Sequence, residues 1–392
     1  MKICKLGVWD DSIPKIFFNE DGISNYAMIQ EALMKEYPRG TQGEIAWTKI
    51  IKEIKSSKSK SNYDCVVGVS GGVDSSYLLH LLKETYGLNP LAVNLDNGWN
   101  SDIAVKNIKK MTTQLNVDLE TYVVDYEEMK DILRAYMLSG LPWIDTPTDM
   151  AIKSVMYKVA RQEGIKYIFR GNDFRSEGKQ PLAWTYSDNK QLQHIHKKFG
   201  RIKKKLKTYP YLSLMDIIIN GIIYRIKDIR PYYYLEYNKE NAKKFLEEHY
   251  DWEYYGGHHH ENLFTKFVMS YWLPEKFNID KRKINLSAQI MSNQISRENA
   301  LLALANPADT PENIEKSKEF ILSKLDFSLE EFNTIWNEPN KSYLDYPSSI
   351  KFIEFLKEKL GGLIKLVYPQ KPMTFVAMEV NKKNSENRMK KD

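Results

Sequence analysis

The sequence predicts an α/β fold: an open parallel sheet flanked by helices, followed by a mainly helical C-terminal region. Three observations carry this. Residues 65–69 are a short, apolar, β-branched run that stops at Ser70-Gly71-Gly72, after which Val73, Tyr77, Leu78, Leu81 and Leu82 fall on one helical face. The same exchange of strand-like and helix-like stretches repeats from residue 63 to 190, the pattern of a parallel sheet. From about residue 191 the alternation stops and helical periodicity takes over.

Taken in order, residues 1–62 form an N-terminal arm, closed by the flexible linker Ser56-Ser57-Lys58-Ser59-Lys60-Ser61-Asn62. A second strand is expected over 91–95, ending in Asp96-Asn97-Gly98-Trp99-Asn100 at the carboxyl edge, where open α/β sheets bind ligands. A helix follows over 103–115, and a third strand over 121–124. The next helix, 148–163, is capped near Thr146 to Thr148 and ended by Gly164. A fourth strand, 167–169, leads into Arg170-Gly171-Asn172-Asp173. Residues 191–380 form the helical region, with short helices over 294–360 broken by Pro307, Pro311, Pro339 and Pro347. The polar residues 381–392 are expected to be disordered.

At 392 residues the chain has room for two to three cores. Its two cysteines, Cys4 and Cys65, cannot form a disulfide framework, which fits a reducing, cytoplasmic setting. Residues 1–20 carry Asp10, Asp11 and Glu20 and read as no secretory signal. The most apolar stretch, 211–226, is interrupted by Asp216, Asn220 and Arg225, so it reads as a buried helix and not a membrane span. A net charge of +6 permits anionic substrates without arguing for nucleic acid.

The turn at 70–76 carries the chemistry. A strand passing through glycines into a helix start aims free N–H groups and the positive helix end at an anion, and Ser70, Ser75 and Ser76 add hydroxyl donors. No Gly-Lys-Ser/Thr follows, so this is not the loop used for γ-phosphate cleavage. Asp74 puts a carboxylate inside the anion site, which Coulomb repulsion disfavours unless a cation lies between; pyrophosphate with Mg²⁺ meets both conditions. Gly68-Val69-Ser70-Gly71-Gly72 also fits the G-x-S-x-G elbow of α/β-hydrolases, but too few strands precede it. A glycine turn of purely structural purpose leaves Asp74 and the serines unexplained. Ser70-Gly71-Gly72-Val73-Asp74-Ser75-Ser76 resembles the signature of the PP-loop ATP pyrophosphatases, an adenine nucleotide alpha hydrolase-like fold whose members cleave ATP between its α- and β-phosphates.

A closer resemblance runs from residue 1 to about Pro347. Gly87-Leu88-Asn89-Pro90-Leu91-Ala92-Val93, Asp96-Asn97-Gly98-Trp99-Asn100-Ser101, Thr146-Pro147-Thr148-Asp149, Tyr255-Gly256-Gly257 with His259 and Glu261, and Lys276-Phe277-Asn278-Ile279-Asp280-Lys281-Arg282 resemble the N-acetyl sugar amidotransferases of bacterial surface-polysaccharide synthesis, O-antigen and lipopolysaccharide included. The resemblance implies ATP-dependent conversion of a sugar acetamido group to an acetamidino group through an O-adenylyl intermediate. The substrate it implies is an N-acetylated, nucleotide-linked sugar. The ammonia would come from a partner glutaminase with a cyclase-like companion. On this reading Ser70, Gly71, Gly72, Asp74, Ser75 and Ser76 hold the β- and γ-phosphates and Asp74 bridges Mg²⁺. Asp96 and Asn97 lie near the adenosine or the metal, and Gly171 and Asn172 approach the nucleotide with Arg175 adding positive charge. His259 and Glu261 bind the sugar or steer protons.

One departure stands out. Where relatives carry Cys-x-x-Cys twice, a four-thiolate zinc site, this arm has Cys4, Gly7, Ser24 and Ala27, so no structural zinc is expected and the arm must be held by apolar packing of Val8, Trp9, Ile16, Phe17, Phe18, Ile23 and Tyr26. His258-His259-His260 reads as a surface loop, since three successive residues cannot all face one ion. The seven Lys or Arg residues between His196 and Thr208 read as a solvated face, a diphosphate site or an RNA contact. The rival functions are a lysidine-type, tRNA-modifying PP-loop enzyme and an inactive scaffold; the Trp and Tyr residues beyond 230 do not interleave with the basic run as a stacking surface would.

Overall fold

A computed structural model describes residues 2–57, 61–257, 260–360 and 370–389. Five strands, β1 (Cys65–Gly68), β2 (Pro90–Asp96), β3 (Leu119–Val123), β4 (Tyr167–Phe169) and β5 (Lys227–Ile229), form one sheet in the order β3-β2-β1-β4-β5, every neighbouring pair parallel. The pleat decides which core each residue joins. Val66 of β1, with Leu91, Val93 and Ile168, packs against α5 (Tyr126–Leu138) and α6 (Thr146–Gln162), whereas Cys65 and Val67, with Ala92 and Phe169, pack against α2 (Thr41–Ser56), α3 (Val73–His80) and α4 (Asp102–Gln114). The chain leaves β1 in one direction to β2 and β3 and returns on its other side as β4 and β5. The crevice at the carboxyl end of β1 is therefore the switch point of the sheet.

Strands one to four are read from sequence to within two residues at each end. The fifth is not. It lies beyond residue 190, so the mainly helical region contributes an edge strand to the sheet. Two further expectations change. Residues 211–226 contain α10 (Leu214–Ile222), but Met215, Ile222, Ile223 and Tyr224 are exposed, so the stretch is only half buried. In place of a disordered tail from Asn381, a final helix spans Met373–Met389, anchored by Val376 and Ala377 against Ile29 and Leu33 of α1 (Asn25–Glu36). Among the described residues no helix is long and apolar enough to cross a membrane.

The basic run is mostly a loop. It follows α9 (Asn189–Phe199), and its backbone is fastened to α5: Arg201 and Ile202 donate N–H bonds to Asp131, and Lys207, Thr208 and Tyr209 donate to Glu128. The lysine side chains at 203–205 and 207 stay exposed.

In the arm, the four positions at zinc-site spacing do come together, but the residues present do not fit a metal. Cys4 Sγ accepts the Ser24 N–H at 3.3 Å, Ser24 Oγ caps α1 through Ala27 N, and a Cβ on Gly7 would fall 2.7 Å from the ring of Trp9. That indole fills the cradle and is 1% exposed. Among the described residues no three His, Cys, Asp or Glu side chains are grouped to hold an ion. The arm is fastened instead to α13 (Arg282–Met291): Val8 N donates to Ser287 Oγ at 2.8 Å, and Lys283 pairs with buried Asp10 at 2.6 Å.

Candidate active site

The turn after β1 needs its first glycine. Gly71 has φ +77°, and a Cβ there would stand 2.3 Å from the Ala104 carbonyl oxygen. No L side chain is accommodated. Its carbonyl oxygen accepts from Asn107 Nδ2 at 3.3 Å and Trp252 Nε1 at 3.1 Å, which locks the turn against α4 and the loop before residue 255. Ser75 Oγ accepts the Ser70 N–H at 3.2 Å and lies 3.3 Å from Ser70 Oγ, tying the two ends of the turn together. From the β4 side, Gly171 comes so close that a Cβ would sit 2.9 Å from the backbone carbon of Asp74. Glycine at 171 lets the two loops meet at the switch point.

The crevice opens as a cavity of about 490 Å³. Of the residues expected in the site, Ser70, Gly72, Asp74, Ser75, Asn97, Gly171, Asn172 and Glu261 line it. Gly71 and Ser76 do not line it; Ser76, 3% exposed on α3, donates its N–H to the Gly72 carbonyl oxygen at 3.0 Å. Asp96 is not among the residues that line it; its Oδ1 accepts the Gly98 N–H at 3.0 Å in the turn after β2. Arg175 is corrected. It is buried and donates to the carbonyl oxygens of Tyr233 and Tyr37, away from the cavity. The cation at that edge is Arg170, whose guanidinium grips Asp228 of β5 by two nitrogens. Burial works against the Asp228 carboxylate, but Arg170, Arg230 and Lys153 prevail and lower its pKa. His259 lies outside the described residues.

Asp74 is held by groups that no local pattern announces. Tyr237 donates its hydroxyl to Oδ1, and Lys239 Nζ lies 2.9 Å from Oδ2. The Tyr237 ring stacks on Tyr232 at 3.9 Å, and the Tyr232 hydroxyl donates to the Asp74 carbonyl oxygen at 2.8 Å. Tyr255 accepts the N–H of Val73, the first residue of α3, at 3.3 Å. Burial, then the Glu261 and Asp74 carboxylates, push the Tyr255 phenol far up, so it stays protonated. Glu261 Oε1 is 3.2 Å from where a Gly72 Cβ would be, which sets a second carboxylate over the turn. At the other end of the cavity Lys281 sits 3.9 Å over the Trp143 ring, its pKa pulled to about 8 by burial, with Asp149, Glu177 and Asp145 opposing. Tyr237 and Lys239 have no motif to mark them; Arg170 stands in the Arg170-Gly171-Asn172-Asp173 stretch after the fourth strand, and Lys281 and Asp149 stand in stretches singled out only by resemblance.

This geometry suits a polyphosphate with a hard cation. The turn offers N–H and hydroxyl donors, and Asp74 and Glu261 supply the one or two carboxylates with which Mg²⁺ is ordinarily held beside phosphate oxygens. The sheet, the switch-point crevice and the Ser-Gly-Gly-Val-Asp turn define a PP-loop α/β fold. Comparison agrees: the Asparagine synthase family profile matches residues 55–172, and a profile described as LPS biosynthesis protein WbpG-like, C-terminal domain, matches residues 261–357. The two matches lie on the segments that resemble the PP-loop N-acetyl sugar amidotransferases of lipopolysaccharide biosynthesis, and they support that likeness.

Among curated proteins, Uncharacterized protein MJ1599 of Methanocaldococcus jannaschii is 31% identical over 130 residues, 32% of this chain and 46% of that protein, so the chain spans less than half the length of the relative it matches. Among solved structures, the NH3-dependent NAD synthetase from Campylobacter jejuni aligns with a TM-score of 0.30 at 13% identity, covering 69% of this chain and 94% of that one. The NMN synthetase from Francisella tularensis gives 0.29 at 13%, covering 74% and 95%. The U34-tRNA thiolase NcsA from Methanococcus maripaludis gives 0.30 at 14%, covering 75% and 86%. Scores at that level carry no weight about substrate.

Proposed function

We propose that the protein converts the acetamido group of a nucleotide-linked N-acetyl sugar to an acetamidino group at the expense of ATP. The observation that supports it most is one cavity lined both by the 70–76 turn and by Trp143, Gln180 and Lys281. At one end Ser70, Gly72 and Ser75 meet the β- and γ-phosphates; Val93, Leu95 and Met156 give the base an apolar wall; Trp143, Gln180 and Lys281 face the sugar. Mg²⁺, held by Asp74, would neutralise charge on the phosphates.

The acetamido oxygen attacks the α-phosphorus, an O–P bond forms, and pyrophosphate leaves. This turns an inert amide into an O-adenylyl imidate. Ammonia adds at the imidate carbon, the C–O bond to AMP breaks, and the nitrogen loses its extra proton to a carboxylate, for which Glu261 is placed. Positioned charge is the turn's main contribution. Ammonia supplied by a partner glutaminase, with a cyclase-like companion, completes the reading.

The test is incubation with ATP, Mg²⁺, ammonium and a panel of UDP- and CMP-linked N-acetyl sugars, following AMP and the replacement of oxygen by NH in the sugar's mass. Asp74→Asn should cut AMP formation by on the order of a hundredfold with folding intact. AMP appearing with tRNA and with no sugar would favour an RNA-modifying enzyme. No AMP under any condition would favour a scaffold.

A further inference from the structure

We propose that Lys239 is a displaceable counter-ion of Asp74: it covers the carboxylate in the ligand-free protein and passes to the pyrophosphate oxygens when the site fills. This rests on the reading of the 70–76 turn as a pyrophosphate site. Lys239 is the first residue of α11 (Lys239–Tyr250), whose N-terminus is capped by Asn238, so its backbone is fixed while its four-carbon stem is not. Its ammonium lies 2.9 Å from Asp74 Oδ2, with the two side chains 27% and 22% exposed. The other oxygen belongs to Tyr237 and the backbone to Tyr232, so Asp74 keeps its aim when the lysine departs.

Two consequences follow from ordinary electrostatics. An ammonium on Oδ2 opposes a divalent cation at that oxygen, so Lys239 has to release Asp74 before metal is taken. A phosphate oxygen entering the turn offers the ammonium a replacement anion of greater charge. One side chain thus disfavours metal in the ligand-free site and favours pyrophosphate in the filled one. It acts as a positioning residue on Asp74 and a binding residue for the leaving group.

The full-length chain and its K239M, K239R and D74N variants would be titrated with Mn²⁺ alone, by electron paramagnetic resonance of the free ion, and with inorganic pyrophosphate alone, by calorimetry. K239M should bind Mn²⁺ roughly tenfold more tightly and pyrophosphate roughly tenfold more weakly than the unmodified chain, K239R should stay near it in both, and D74N should lose Mn²⁺. Opposite movements of two affinities are not what damaged folding produces. If circular dichroism shows K239M unfolded, K239Q is judged on the same two affinities. Mn²⁺ affinity unchanged or weaker, or pyrophosphate affinity unchanged, overturns the role of Lys239 alone. An unmodified chain that binds no pyrophosphate overturns the phosphate reading of the turn, and this proposal with it.

Discussion

The turn at 70–76 and the arm around Cys4 are both cradles shaped for something charged, and the protein has treated them oppositely. The turn is left open: Gly71 admits no side chain, Gly171 brings the facing loop close, and the surrounding polar groups hold one another in place around a cavity. The arm is closed: Gly7 leaves room that the Trp9 indole takes, and packing does what metal coordination would otherwise do. A glycine beside a cavity and a glycine beside a ring are the same letter with contrary meanings. What separates them is whether the vacated volume is kept or filled.

Substitution should break the two cradles in different ways. Gly71→Ala is expected to have the largest effect, because the new methyl meets a backbone oxygen at 2.3 Å in a left-handed conformation. AMP formation should fall by on the order of a hundredfold or more. The variant should also lose more than ~1 kcal/mol of stability in urea denaturation. A Gly71→Ala protein with near-normal turnover would show that the turn's shape is not what the nucleotide reads. Trp9→Ala should do the reverse: about 3–5 kcal/mol of stability lost, read as a lower Tm, with turnover at low temperature largely kept. Chelators should leave the Tm of the unmodified chain where it is, whereas stoichiometric zinc by elemental analysis would sink the filled-cradle account.

The smallest effect concerns pH. Burial raises the Asp10 pKa, but Lys283 and Ser12 more than reverse this, so its folded pKa lies below the ordinary carboxylate value. A depressed carboxylate contributes stability that is present above its unfolded pKa and is lost as pH falls through the folded one. The arm should therefore loosen in acid, below about pH 4, seen as a shift of Trp fluorescence. Asp10→Asn should remove most of that acid dependence at a cost of about 1–3 kcal/mol at neutral pH. An Asn variant that loosens in acid as steeply as the parent would place the titrating group elsewhere.

Much of this architecture is legible in the residues because it is local. Val66, Val67 and the glycines announce a strand, a turn and a helix within twelve positions, and Tyr167-Ile168-Phe169 announces a buried strand on its own. The fifth strand is hidden because Lys227-Asp228-Ile229 carries charge into the interior, and Asp228 is tolerable only with Arg170 and Arg230 beside it. Tyr237 and Lys239 are hidden for a different reason: they reach Asp74 across 163 and 165 positions of chain. A carboxylate after a strand can serve a ligand or its own turn, and Asp96 Oδ1 accepts the Gly98 N–H of its own turn. The last helix was read as disordered from its polar end, Asn381 onward, although Val376 and Ala377 at its start are buried against the arm.

The order in which the strands are made gives the fifth one a further importance. During synthesis, strands one to four and the phosphate turn emerge first, yet β4 has no outer neighbour and Arg170 no carboxylate until residues 227–229 follow. Asp74 waits longer still, for Tyr237 and Lys239. A nascent chain that ends before residues 227–229 would carry an unpaired, apolar sheet edge, the kind of surface that recruits chaperones or a second copy. Fragments ending near residue 190 should accordingly aggregate, whereas fragments that retain residue 239 have every partner of the phosphate turn that comes from the sheet side.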